Sequence, residues 1–299
     1  MQMQAEVSRA PARGTLVAER EFGFSPRHFA AIRARLHALT GIAIGDIKQD
    51  LVYGRLSRRL RQLGLADFDA YLAWLEAHAE RETPEFINAL TTNLTAFFRE
   101  PHHFDDLRER VLPELLERHR HQRRLRIWSA ACSTGEEPYS LAITLSEALG
   151  SRLAEWDALV LATDIDTGVL ATAERGIYPR ERLKGLSEAR RSRHFRDVTG
   201  GAGGGASVQA TDSLRALVRF RPLNLNGPWP MRGRFDVVFC RNVVIYFDKP
   251  TQKSLFERIA HQMTPGGYLY IGHSESLFRV CDRFEHLGHT IHRLVGGQA

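Results

Sequence analysis

LRIWSAACSTGEEPYSLAITLSEALG, residues 125–150, is the stretch in which the chain changes character. Its first eight residues form an apolar run of the kind a buried strand carries. The residues from Glu136 onward, EEPYSLAITLSEALG, read as a helix. The same alternation recurs downstream. DALVLATDID (157–166) reads as a strand and TGVLATAERG (167–176) as a helix. LVRFRPLNL (217–225) and FDVVFCRN (235–242) read as strands, KPTQKSLFERIAHQM (249–263) as a helix, and GGYLYIGH (266–273) as a strand. Strands alternating with helices imply βαβ units and a mostly parallel sheet. Ligands of such sheets bind beyond the carboxyl ends of the strands. That rule points to SAACSTGEEP, TDID, LNLN and CRNVVIYF.

Upstream the reading is helical. Ser25-Pro26 is an N-cap and first-turn pair, Phe29, Ile32, Leu36 and Leu39 recur at helical spacing, and Gly41 stops the run. A second helix is expected from Asp46 to Leu63 with Gly64 at its end, a third over 67–79, and a short fourth starting at Thr83-Pro84. Strand signals are missing before about residue 124. The expected organisation is a loose tail over 1–20, a helical domain over 21–90 and an α/β domain over 91–299. A glycine-rich interruption, GGAGGG at 200–205, marks a small β insertion over about 196–220.

Composition narrows the class. Of 299 residues, 43% are hydrophobic and 25% charged, which excludes a disordered or collagen-like chain. The net charge of +6, from 41 Lys and Arg against 35 Asp and Glu, suits an acidic partner without choosing it. Three widely spaced cysteines, Cys132, Cys240 and Cys281, offer no CxxC pair and no zinc-ligand spacing, so no metal is expected and the thiols read as free in a reducing compartment. The N-terminus carries no secretory pattern and no apolar run is long enough to cross a bilayer, so a cytoplasmic chain without membrane insertion is expected.

The strand ends carry the chemistry. Ser133-Thr134-Gly135-Glu136-Glu137 lies between a strand and a helix, and its glycine is expected to let a ligand approach the backbone. Two glutamates at a helix start are also ordinary first-turn acids. A pyrophosphate would not welcome two carboxylates, and there is no GxGxxG and no P-loop lysine. A cationic, hydroxyl-rich ligand fits better, such as a nucleoside with a sulfonium and an amino group. Asp164, after the second strand, sits where acidic residues bond ribose hydroxyls, while Asp166 also reads as a plain N-cap. Arg241 either serves a ligand or pairs with a carboxylate to brace the sheet edge, since buried arginine is costly unpaired.

TTNLTAFFRE (91–100), WSAA (128–131), STGEEPYS (133–140), DID (164–166) and CRNVVIYF (240–247) closely resemble, in this order, the chemotaxis receptor glutamate methyltransferases of CheR type. The resemblance covers about residues 25–295. It implies a small all-helical N-terminal domain followed by a Rossmann-like S-adenosylmethionine-dependent methyltransferase domain with a small antiparallel β insertion. It implies methyl esterification of glutamate side chains on the cytoplasmic helical bundle of chemoreceptors, by a chain read as a monomer. By motif position, Asn93, Thr95, Arg99, Glu137, Asp164, Asn224, Leu225, Cys240, Arg241 and Asn242 should hold S-adenosylmethionine. Arg99 and Tyr246 match positions near the transferring methyl. Tyr246 also reads as an ordinary sheet-end aromatic.

A glutamate carboxylate, ionised at neutral pH, needs no general base to attack a sulfonium methyl. Lys48, Arg55, Arg58 and Arg59 fall on one side of the second helix. They read either as a solvated face or as a docking strip for the acidic receptor bundle. No nucleic-acid motif accompanies them, so no nucleic-acid partner is expected. Within the family's insertion, a glycine stretch followed by an arginine binds a receptor C-terminal pentapeptide. Here Gln209 stands where that arginine is expected, after Gly203-Gly204-Gly205-Ala206-Ser207-Val208, so no pentapeptide tether and a mobile glycine loop are expected. Two other readings share these features: a cofactor-binding sensor or scaffold, and a methyltransferase acting on RNA or on protein amines.

Overall fold

A computed structural model describes residues 20–198 and 206–295. The helical domain comprises α1 (Pro26–Thr40), α2 (Gln49–Leu63), α3 (Phe68–Ala77) and α4 (Ala79–Leu90). Ser25 caps α1 by accepting from the His28 amide, and Gly41 closes it in the left-handed region at φ 77°. Asp46–Lys48, expected to open the second helix, forms a separate 3-10 turn instead. The fourth helix begins at Ala79, not at Thr83, and carries Pro84 inside. Pro84 removes only a bond to the carbonyl near the helix start. Buried Phe86, Ile87 and Leu90 hold the helix against Ile32, Leu56 and Tyr71.

Next come α5 (Pro101–Asp106), a π-helical turn (Leu107–Val111) and α6 (Leu112–Arg118), a run that the sequence reading left unassigned. The α/β domain then follows. Its elements are β1 (Arg124–Ala130), α7 (Glu136–Leu149), β2 (Asp157–Asp164), α8 (Thr167–Arg175), β3 (Ile177–Pro179), α9 (Glu188–His194), β4 (Phe195–Val198) and β5 (Ser207–Ala210). It is completed by α10 (Asp212–Arg215), β6 (Val218–Pro222), β7 (Phe235–Cys240), α11 (Lys249–Gln262), β8 (Met263–Ile271), β9 (Phe284–Gly288) and β10 (Ile291–Leu294).

The large sheet has the order β6-β2-β1-β7-β8-β10-β9. β6, β2, β1, β7 and β8 run parallel, and β10 pairs antiparallel with both neighbours. Side chains of β1 alternate between two cores: Leu125 and Ile127 pack on one face with α7, Trp128 and Ala130 on the other with α11. From β1 the chain winds outward through β2 to β6, then crosses back to lay β7 on the other side of β1. Ala130 pairs with Thr163 on one side and Cys240 on the other, so three strand ends finish level at that switch point.

The small antiparallel sheet has the order β3-β5-β4. It therefore starts before residue 196, and Val218–Pro222 lies outside it, pairing in parallel with β2 from Val160 to Asp164. The expected glycine loop at 200–205 lies outside the described residues. Gln209 is in β5, where it donates to the Arg175 carbonyl at 3.0 Å and accepts from Arg196 at 3.2 Å. No helix among the described residues is long and apolar enough to cross a membrane.

Candidate active site

A cleft with about 1210 Å³ of empty space, partly open to solvent, lies beyond the carboxyl ends of β1, β2, β6 and β7. The helical domain covers it. The Ala43 amide donates to the Tyr246 carbonyl at 2.8 Å, and Ile42 forms a single bridge with Phe247. Arg55 donates to the Leu90 and Thr91 carbonyls at 2.8 and 2.7 Å, fixing the segment that joins the two domains. Five non-glycine residues around the cleft adopt positive φ: Phe98, Glu100, Ala131, Ser133 and Asn242. Each conformation costs on the order of 1 kcal/mol, a burden that clusters at functional sites.

Gly135 does not serve ligand access as expected. A β-carbon there would meet the Ala173 β-carbon and the Tyr178 hydroxyl at 2.8 Å, so this glycine is required by packing beneath the helix start. The helix start instead presents Glu137. Ser129 donates to its Oε1 at 2.7 Å and Arg241 to its Oε2 at 3.1 Å. Burial pushes the Glu137 carboxyl up, while the Arg241 charge and the Ser129 hydrogen bond pull it down.

Arg241 has a side chain only 1% exposed and joins three segments. Its guanidinium pairs with Glu137, pairs with Glu100 at 3.1 Å, and donates to the Arg99 carbonyl at 2.5 Å. The bracing of Arg241 by carboxylates is thus realised, and it occurs inside the cleft wall. Burial acts to raise the Glu100 carboxyl, but hydrogen bonds from His273 and the charge of Arg241 hold it down at about 2.

At the end of β2, Asp164 accepts from the amides of Ser133 at 2.8 Å and Asp166 at 2.9 Å. Burial raises its carboxyl to about 6. Asp166 is the N-cap of α8, accepting from the amides of Gly168 and Val169. Its other oxygen takes the Thr91 hydroxyl at 2.6 Å and the Asn93 amide at 2.7 Å. Asn93 therefore reaches the cleft wall through Asp166, whose double role the spacing alone did not reveal.

The loop after β7 is tied by a residue the sequence reading passed over. Glu275 is buried, and its carboxylate accepts from the amides of Asn242, Val244, Ile245 and Gly272 at 2.6–3.3 Å. This carboxylate lies just past the end of β8, outside the four polar clusters that the sequence pattern singles out. The tied loop turns Tyr246 into the cleft, with the Lys48 ammonium 5.4 Å from its ring centre.

Of the expected cofactor residues, Asn93, Thr95, Arg99, Glu137, Asp164, Asn224, Leu225, Arg241 and Asn242 all line this cleft, as does Tyr246. Cys240 does not: it is fully buried in β7, with its thiol in the core formed with α11. The strand alternation that turns Arg241 toward the cleft turns Cys240 away. The basic strip of α2 is also divided. Lys48 lines the cleft and Arg58 is exposed, but Arg55 holds backbone carbonyls and Arg59 forms a two-pronged pair with buried Glu82 at 2.8 and 2.7 Å. Glu100, His102 and His103 bring one ligand atom each within 4.8 Å of one another. Glu100 is already committed to Arg241 and His273, and a metal ion there would face the Arg241 cation.

The cleft is electrically sorted. Its wall sets Glu137 and Asp164 beside the buried guanidinium of Arg241, which also pairs with Glu100. Its outer part carries exposed Lys48 and half-buried Arg99 and Tyr246. The inner carboxylates, which accept hydrogen bonds, fit a nucleoside bearing a sulfonium and an amino group, and the outer cations fit an anionic acceptor.

Comparison with known proteins agrees. Residues 27–91 match the model of the CheR methyltransferase all-alpha domain, and residues 93–293 that of the CheR methyltransferase SAM binding domain. The chain is 48% identical over 276 residues to chemotaxis protein methyltransferase 2 of Pseudomonas aeruginosa, covering 91% of this chain and 94% of that one. It is 46% identical to the chemotaxis protein methyltransferase of Salmonella typhimurium, with 92% of each chain covered. The corresponding Escherichia coli protein is 44% identical, with 90% and 91% covered.

Proposed function

This chain belongs to the CheR methyltransferase family and is an S-adenosylmethionine-dependent enzyme, and from that premise we propose that it esterifies glutamate side chains of chemoreceptors. The observation that carries the proposal is the sorting of charge within one cleft, acids inside and cations at the mouth. S-adenosylmethionine supplies, when bound, a methyl group on a positively charged sulfur.

The chain's own residues do the rest. Glu137 and Asp164 receive the cofactor's cationic and hydroxyl groups, and the Arg241 bridge opposes the upward push of burial on the Glu137 carboxyl. Arg99, anchored by its bond to the Leu94 carbonyl at 2.8 Å, orients one oxygen of the acceptor carboxylate. Tyr246 lies across the mouth and confines the approach to the in-line direction that displacement needs. No proton has to be removed, because the acceptor is already ionised. Gln209, engaged by Arg175 and Arg196, supports the reading that no pentapeptide tether is bound.

The test is transfer of a labelled methyl group to a chemoreceptor cytoplasmic fragment, followed by mild alkali. Label released as methanol is the expected result, with Arg99→Ala and Tyr246→Phe both slowing transfer. Alkali-stable label would show an amine or other acceptor and overturn the glutamate assignment.

A further inference from the structure

The segment that carries Thr95 and Arg99 into the cleft is packed against the small sheet. Phe97 meets Tyr178 of β3 and Phe195 of β4 edge-on, with ring centres 5.1 and 5.4 Å apart. The Arg190 guanidinium of α9 lies 4.2 Å from the ring centre of Phe98. A hydrogen bond crosses the same contact. Arg182, in the 3-10 turn Arg180–Leu183 that follows β3, donates to the Thr95 carbonyl at 3.1 Å. The neighbouring Leu94 carbonyl takes Arg99 at 2.8 Å. Two arginines thus hold consecutive carbonyls of one segment. Arg99 lines the cleft and Arg182 does not.

Arg182 has a second partner. Glu136, the first residue of α7, is fully buried, and its Oε2 accepts from the Thr134 hydroxyl at 2.6 Å. Its Oε1 makes no hydrogen bond and faces the Arg182 guanidinium at 3.4 Å. Among the described residues no other cation pairs with this carboxylate. A buried charge without a partner is costly, so Glu136 fixes where the guanidinium sits, and the guanidinium fixes the Thr95 carbonyl. We propose that Arg182 is a positioning residue for methyl transfer, setting the segment 94–99 and through it the place of Arg99 beside the acceptor. The small sheet then has a task in the reaction that needs no receptor tail. The inference rests on the glutamate reading above for its acceptor. A group that orients a reacting atom loses effect on a small displacement, so loosening this hold slows the step without touching the cleft lining.

The test separates positioning from stability in the full chain. Arg182→Met keeps the aliphatic stem but strands the Glu136 charge, and Glu136→Gln/Arg182→Met removes both sides of the pair. The double variant is expected to melt together with the single variant Glu136→Gln. Its kcat on the receptor fragment falls roughly tenfold, while Glu136→Gln keeps the wild-type kcat. Arg182→Lys, which keeps a charge for Glu136 and a donor for Thr95, recovers most of the rate. A second readout needs no acceptor. The Phe98 and Arg99 amides, bonded to the Ser140 hydroxyl and the Ala96 carbonyl, exchange their hydrogens faster in the double variant. A double variant with the wild-type kcat, or with those amides exchanging as in Glu136→Gln, overturns the proposal. A wild-type chain that leaves the fragment unlabelled overturns the glutamate reading, and the placement by Arg182 then stands or falls on the exchange of those two amides.

Discussion

Asp164 shows how one residue serves binding at the expense of the free protein. Its carboxyl is raised from 3.8 to about 6 by burial, against backbone hydrogen bonds from Asp166, Ser133 and Ile165 that favour the charged form. A carboxyl raised on folding favours the native state while protonated, below its unfolded value, and that contribution is lost as pH rises through about 6. At neutral pH the site therefore holds an ionised, underpaired group ready for a cationic, hydroxyl-bearing ligand. S-adenosylhomocysteine affinity should fall as pH drops below about 6. Asp164→Asn should bind more weakly at neutral pH and lose that acid limb, which calorimetric titration from pH 5 to 8 would read. An affinity flat across that range would remove Asp164 from the binding role. Its position after the second strand was legible from spacing. Its partners were not, because Ser133 lies 31 residues away in the chain.

At the scale of the element, α8 shows how a cap becomes part of a site. TGVLATAERG identified the helix, and Asp166 was legible as its N-cap. The second oxygen of that carboxylate gathers Thr91 and Asn93 from the segment joining the domains. Asp166→Ala should cost about 2 kcal/mol, the upper end for a lost cap, because two further hydrogen bonds go with it. Urea unfolding at neutral pH would measure this, and a loss within a few tenths of a kcal/mol would mean that water replaces all four bonds. The loop after β7 follows the same logic. CRNVVIYF marks the strand and its polar end, but Glu275, which gathers the loop's amides, belongs to the far end of β8. The α5 to α6 run escaped reading because a π-helical turn interrupts its period between two short helices.

Across the whole molecule, the helical domain forms one wall of the cleft. The Ala43–Tyr246 and Asn224–Leu39 hydrogen bonds, both within 2.8 Å, close that wall onto the α/β domain. A ligand in the cleft touches both parts, so S-adenosylhomocysteine should raise a single thermal transition, by about 2.7 kcal/mol at a hundredfold excess over Kd. Calorimetry that resolved two transitions and moved only one would contradict the shared wall. What the sequence determined by itself was periodic or local: the switch from helical to alternating pattern near residue 124, caps at Ser25 and Gly41, and polar clusters at strand ends. Those signals arise within a turn or a strand, where neighbours in sequence are neighbours in space. Tertiary structure alone decided that Cys240 faces the core, that Arg55 and Arg59 are bound within the protein, that Val218–Pro222 joins the large sheet, and that Glu275 holds the cleft loop. Each depends on which distant segment arrives opposite a side chain, and folding brings those partners together across separations that leave no period in the sequence.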